Sequence, residues 1–213
     1  MTRPDLAQKR ADLKLQIREA AIKEFAEHGL AGTSTQGIAD RAGITKNKLH
    51  YHIESKEELY QQALDHVMTI WAEMFSGIDL NQGPEIFLAD YIARKIRFSL
   101  THPAEVKMFT GEVMRGAPFL REHWAGSRDV THAAAAQIQK WVADGSIRPV
   151  DPMLLQFNIW AVTEAYAVLG PELRFMLDLD ESAALDEDAI CAEVTALVVR
   201  GLRPDRETAR AQR

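Results

Sequence analysis

Cysteine is all but missing from this 213-residue chain. Cys191 stands alone, which excludes an internal disulfide and any zinc site built on several thiolates. Long apolar runs are missing too. None approaches the roughly 20 residues that cross a bilayer, so no membrane partner is expected. The stretch Met1–Gln16 is charged and has no apolar centre of the kind a secretory leader needs, so a cytoplasmic location is expected. Strand-type alternation, tandem repeats and low-complexity linkers are missing as well.

What remains is the composition of a globular, helical chain. Hydrophobic residues make up 46% and charged residues 26%, enough for a sizeable core. The net charge of -6 is unevenly placed. Residues 1–56 carry ten Lys/Arg against seven Asp/Glu, and the rest of the chain carries fifteen against 24. A basic segment joined to an acidic one is the asymmetry expected when only the first part meets phosphate.

Nearly every segment reads as helix. Leu13, Ile17, Ala20, Ala21, Phe25 and Ala26 recur at three- and four-residue steps and form one apolar stripe. His28-Gly29 ends that helix, glycine being suited to a left-handed terminus. Thr33-Ser34-Thr35 supplies caps for a short helix over 36–42, and Gly43 turns the chain. Thr45 caps a second short helix through His52, and Ser55 caps a long one from Lys56. Further helices are predicted over 56–76, 84–101, 104–114, 119–144, 152–176 and 187–202. Gly83-Pro84, His102-Pro103, Ala117-Pro118, Arg148-Pro149 and Asp151-Pro152 punctuate them. The tail after Leu202 is polar and expected to fray.

The most informative stretch is residues 32–59. Ile38, Ala39, Ile44, Leu49 and Ile53 form a small inward-facing set, which leaves Lys46, Asn47, Lys48, His50 and Tyr51 facing outward. That is the layout of a helix-turn-helix, whose second helix enters the major groove of double-stranded DNA. Thr35, Gln36, Thr45 and Lys46 sit at helix starts, where free backbone N–H groups favour phosphate. Asn47 suits an adenine edge and Lys48 a guanine edge. Tyr51, His52 and Lys56 suit phosphate oxygens. A metal site at His50 and His52 is disfavoured, because residues two apart on a helix do not share a face.

The same stretch resembles the DNA-binding head of the TetR family of regulators. The matching residues are Thr33, Ile38, Ala39, Ala42, Gly43, Ile44, Thr45, Leu49, Tyr51, His52, Ser55, Lys56, Glu57 and Leu59. Asn47 stands where that family commonly has glycine, His50 where it has tyrosine and Ile53 where it has phenylalanine. The resemblance implies an all-α fold of about nine helices, with a three-helix head over 1–55 and a ligand-binding, dimerising body over 56–213. It implies a homodimer that holds a palindromic operator as a repressor, with a dimer surface drawn from roughly 152–176 and 187–202. The run from Ala189 to Val199 is apolar over more than one face, as a helix covered on both sides should be.

The body resembles one branch of that family, the repressors of pyrimidine utilisation. The similar segments are Asp90-Tyr91-Ile92 with His102-Pro103, Glu112 to Pro118, Val150-Asp151-Pro152, Ile159-Trp160-Ala161 and Tyr166-Ala167, with Trp71. A uracil- or thymine-like effector, or another small aromatic molecule, is implied. Glu164 and Ala165 replace a glutamine and a histidine of that branch. A planar ligand wants an apolar slot with a few convergent polar groups. Trp71, Phe109, Glu112, Trp160, Thr163, Glu164 and Tyr166 are the candidates, and Trp160, Thr163 and Glu164 share one helix face. A helical enzyme is the competing reading. Cys191 lies in an apolar helix, and His66, His102, His123 and His132 lack ligand spacing, so no catalytic residue, metal or cofactor is expected.

Overall fold

The computed structural model describes residues 3–75, 82–121 and 124–204. Among them are ten helices and no strand: α1 (Arg3–Gly32), α2 (Thr35–Arg41), α3 (Lys46–His50), α4 (Lys56–Phe75), α5 (Pro84–Thr101), α6 (Pro103–Met114), α7 (Trp124–Ala143), α8 (Pro152–Val168), α9 (Gly170–Met176) and α10 (Glu187–Gly201). His123 and most of the polar tail fall outside the described residues.

Two of the long helices of the body differ from the sequence reading. The single helix expected over 152–176 is broken after Val168, where Leu169 leaves helical geometry and Pro171 enters the first turn of α9. Proline lacks an amide hydrogen and clashes with the preceding turn, so a helix cannot run through it undisturbed. The helix expected from 119 is instead α7, beginning at Trp124. Ala117 takes a left-handed φ of 55°, and Leu120 N donates to Ala117 O at 3.2 Å, which closes a turn there. Gly29 does interrupt α1, with φ 65° and ψ 175°, although helical structure resumes to Gly32.

Packing divides the chain into two compact units. One holds the chain up to Glu73 together with Ala104–Leu120; the other holds Met74–Pro103 and Arg121 onward. The sequence reading split the chain at 55/56 by task, whereas α4 as far as Glu73 packs with the head.

The first unit is built on the apolar stripe of α1. Ile17, Ala21, Ile22 and Phe25 meet Ile38 and Ala39 of α2, Leu49 of α3, Leu59, Tyr60, Ala63 and Leu64 of α4, and Met108 of α6. Capping sets the short helices. Ser34 accepts from Gly37 N at 2.9 Å, Thr45 from Lys48 N at 3.2 Å and Ser55 from Glu58 N at 3.0 Å. Gly43, at φ 63°, makes the turn between α2 and α3 in a conformation that costs other residues.

In the second unit α5 packs along α8 and α10. Leu88, Ile92 and Ile96, four residues apart on α5, meet Ile138 and Trp141 of α7, Leu155 and Ile159 of α8, and Val194 of α10. Asp151 caps α8 through Met153 N and Leu154 N, and Asp186 caps α10 through Ala189 N. Only Val194 of α10 is buried in the single chain, so one side of that helix is open.

Candidate nucleic-acid interface and interior polar sites

Leu49, with no exposed surface, anchors α3 to the first unit's core. The other residues of its turns point outward: Lys46, Asn47, Lys48 and His50 are exposed, and Tyr51 is 77% exposed. The helix ends at His50, two residues earlier than expected. Tyr51 N and His52 N still donate back to Asn47 O and Leu49 O, so the rod keeps its direction. The Tyr51 and His52 rings meet edge to face at 5.3 Å. A phenol this exposed buries little apolar area here, which leaves it free for an outside surface.

The other expected DNA residues take more varied places. Thr45 is exposed as the α3 cap, and Gln36 is exposed with its amide on Asp40 Oδ1 at 2.7 Å. Thr35 is half-buried. Lys56 Nζ donates to Thr33 O at 2.9 Å and so fastens the start of α4 to the loop before α2. An ammonium has two more hydrogens to offer. Arg41 was not singled out from sequence, yet it joins α2 to α1 through Glu24 and Glu27, both at 2.7 Å. A Cβ on Gly37 would lie 2.7 Å from the Glu24 carboxylate, so glycine permits that close approach.

The seven expected ligand residues fall into two groups, one in each unit. In the first unit Trp71 and Phe109 meet at 4.3 Å between ring centres. Glu112 is a buried hub, 1% exposed. It accepts from Tyr60 Oη at 3.0 Å, Arg115 Nη2 at 3.0 Å and Phe119 N at 2.8 Å. Arg115 Nη2 also donates to Tyr60 Oη. Burial and the bond to Glu112 raise the Tyr60 phenol above the ordinary tyrosine range. Tyr60 sits between Phe25 and Phe119, edge-on to both. Sequence reasoning missed Tyr60 and Arg115. The signal for Arg115 was its three-residue spacing from Glu112.

In the second unit Trp160, Thr163 and Glu164 do share a face of α8. Trp160 Nε1 donates to Tyr91 Oη of α5 at 2.7 Å, and Glu164 Oε1 lies 3.2 Å from Lys95 Nζ, which is 5.9 Å from the Trp160 ring centre. Thr163 is fully buried and gives its hydroxyl hydrogen to its own helix, at Ile159 O or Trp160 O. Tyr166 is half-buried against the same core. Burial pushes the Lys95 ammonium below its ordinary value, with Glu164 opposing. Burial also pushes the Tyr91 phenol up to about 12, with Glu164 adding and Trp160 opposing. Tyr91 and Lys95 carry much of this geometry, and their four-residue spacing on the inward face of α5 was the available signal.

The Tyr91 shift has a measurable consequence. An unfolded chain loses that proton near pH ~10. Folding stability linked to Tyr91 is therefore whole below that value and is lost as pH rises toward about 12. Tyrosinate absorbance titrated against pH should show a late step that Tyr91→Phe removes. An unchanged high-pH limb in that variant would contradict the assignment.

The first unit thus holds a short, solvent-facing cationic helix on a three-helix head, which is the form of a helix-turn-helix DNA-binding protein. The profile described as bacterial regulatory proteins of the tetR family matches residues 17–63, and that of the YcdC-like C-terminal region matches residues 64–205. The chain belongs to the TetR family and is a ligand-responsive transcriptional regulator, not an enzyme. It is 30% identical to the HTH-type transcriptional regulator RutR of Escherichia coli K-12 over 192 residues, covering 90% of this chain and 91% of that one. Its fold resembles that of the ketosteroid transcriptional regulator KstR2 of Mycobacterium tuberculosis, with a TM-score of 0.69, 21% identity and coverage of 89% and 94%. It also resembles AibR, solved with isovaleryl coenzyme A and operator DNA, with a TM-score of 0.65, 18% identity and coverage of 85% and 97%. No helix among the described residues is long and apolar enough to cross a membrane.

Proposed function

We propose that this chain is a cytoplasmic repressor that grips a partly palindromic operator as a homodimer and lets go when a small planar ligand binds its helical body. The observation that carries the reading is α3 itself: four exposed polar residues, with the exposed Tyr51 just past its end, on a rod fixed by Leu49. Lys46 and Tyr51 are read as phosphate contacts, Asn47 and Lys48 as base contacts. Two heads on one dimer would meet half-sites about 34–36 Å apart or a multiple of that. Leu154, Phe157 and Leu197, exposed at 58%, 45% and 70% on α8 and α10, support pairing of those helices between subunits. Ligand coupling of about 1–3 kcal/mol would change operator affinity roughly 5–150-fold.

The effector is read as a pyrimidine of the uracil or thymine type, on the strength of the body's resemblance to the pyrimidine-utilisation repressors. A second reading, a different aromatic or hydrophobic effector, is favoured by the Lys95–Glu164 pair, which puts an engaged carboxylate where that branch has glutamine. Uracil and thymine added to the protein–operator complex separate the two. Release by either supports the first, and release by neither supports the second. A reporter driven by the operator gives the sign of regulation.

The DNA reading is tested by selecting a binding duplex from a random pool and repeating the titration with Lys46→Ala and Tyr51→Ala. Each should weaken binding several-fold at fixed salt and by the same factor on every sequence, and Lys46→Ala should also lower the salt slope by about one unit per subunit, as the loss of a phosphate contact does. Circular dichroism should be unchanged. Wild-type affinity in both variants would refute the placement of the recognition helix.

A further inference from the structure

α1 carries a solvent-facing stretch ahead of its packed portion. Its apolar stripe begins at the half-buried Leu13, and Ala7 to Asp12 are all exposed. The family match to the head begins only at residue 17, so this part of α1 lies outside the shared pattern. An exposed run such as residues 7–12 gains little stability from burial of its own side chains. This one nevertheless forms a wall. Lys9, Arg10, Asp12, Leu13 and Gln16 face Lys48, Tyr51 and His52 of the α3 region across an open groove of about 410 Å³.

The groove's chemistry selects its occupant. Lys9, Arg10 and Lys48 give it three cations against one acid, Asp12, which already accepts from Gln8 Nε2 at 2.9 Å. Tyr51 and His52 add neutral hydrogen-bonding groups. Its floor is fixed, because Gln16 Nε2 donates to Ala42 O at 2.7 Å and ties α1 to the end of α2. It is continuous with the exposed face of α3, so a duplex lying along α3 brings a sugar–phosphate strand to its mouth. Cations that flank a recognition helix add affinity without reading sequence.

We infer that the N-terminal extension of α1 is a second DNA contact, in which Lys9 and Arg10 clamp the phosphate backbone of the operator strand that runs beside α3. The inference rests on the reading of α3 as the recognition helix. It extends that reading to a segment the family pattern does not cover, and it commits to backbone rather than bases.

The experiment compares wild type, Arg10→Ala, Lys9→Ala/Arg10→Ala and Lys14→Ala on two probes. These are the duplex selected by the wild type and a mixed-sequence duplex lacking that site. Lys14 is exposed but does not line the groove, so its replacement removes one charge at the wrong place. Plots of log affinity against log salt should lose about one unit of slope per subunit for Arg10→Ala and about two for the double variant, following the roughly 0.9 counted per neutralised phosphate. Lys14→Ala should lose less than half of the Arg10→Ala change. Both probes should weaken by the same factor, the bases selected from a random pool should not change, and backbone protection should be lost beside the half-sites. Equal slopes for Arg10→Ala and Lys14→Ala, or a changed base preference, would overturn the clamp while leaving α3 in place. A wild type that binds neither duplex would sink the recognition-helix reading and the clamp with it.

Discussion

Glu112→Ala is expected to lower the thermal midpoint by roughly 6–12 °C, a loss of about 3 kcal/mol. The reason lies in what the change strands. Tyr60 Oη, on a side chain with no exposed surface, loses its carboxylate acceptor, and Phe119 N loses the acceptor that Glu112 Oε1 supplies. Arg115 is 43% exposed and can turn to water, so its share of the loss is small. Glu112→Gln separates charge from hydrogen bonding. The amide oxygen can still accept from Phe119 N, while its NH2 meets the donors of Arg115, so the melting point should recover only in part. Calorimetry or circular dichroism reads both variants. An alanine variant that melts with the wild type would show that the hub is not load-sharing in this unit.

The same hub changes how Glu112 is read as a ligand residue. Both oxygens are already engaged within the first unit, one by Phe119 N and the other by Tyr60 and Arg115. An effector meeting Glu112 would have to compete with those donors. Its pull would then reach Tyr60 on α4, the helix whose first turn is fastened to the head loop by Lys56. Under the proposed release mechanism, Glu112 is better placed to pass on a change than to be the first group an effector meets.

The head was legible because its signals are local. Ser34, Thr45 and Ser55 bond amides three residues on, and Ile38, Ala39 and Leu49 fall inward by helical spacing alone. Local chemistry also held the information that Pro171 breaks the helix after Val168, although the apolar pattern runs unbroken across it and masks the break. The interior polar sites were not legible in that way. Tyr60 and Glu112 lie 52 positions apart, and Lys95 and Glu164 lie 69 apart. Neither spacing leaves a mark in a one-dimensional pattern. Choosing polar groups among aromatics found one partner of each pair, Glu112 and Glu164, and missed Tyr60, Arg115 and Lys95. The expected ligand set also crossed a boundary that sequence does not reveal, with Trp71, Phe109 and Glu112 in one packed unit and the four α8 residues in the other.

For the pair between α5 and α8, removing one member should cost more than removing both. Lys95 is 8% exposed at its side chain, and Glu164 is 24% exposed. Lys95→Met leaves the Glu164 carboxylate beside the Trp160–Tyr91 pair without its ammonium, and Glu164→Leu leaves a buried ammonium without its carboxylate. Each single change is expected to lower stability by about 2 kcal/mol, below the roughly 3–5 kcal/mol for breaking a fully buried pair because Glu164 keeps some water. The double variant Lys95→Met/Glu164→Leu strands neither charge and fills the space with apolar side chains, so it should be more stable than either single variant. Denaturant unfolding of all four proteins closes the cycle and yields the coupling between the two groups. Simple additivity, with the double variant the least stable, would mean that the two charges act independently and that the contact between α5 and α8 rests on its apolar packing and the Trp160–Tyr91 bond.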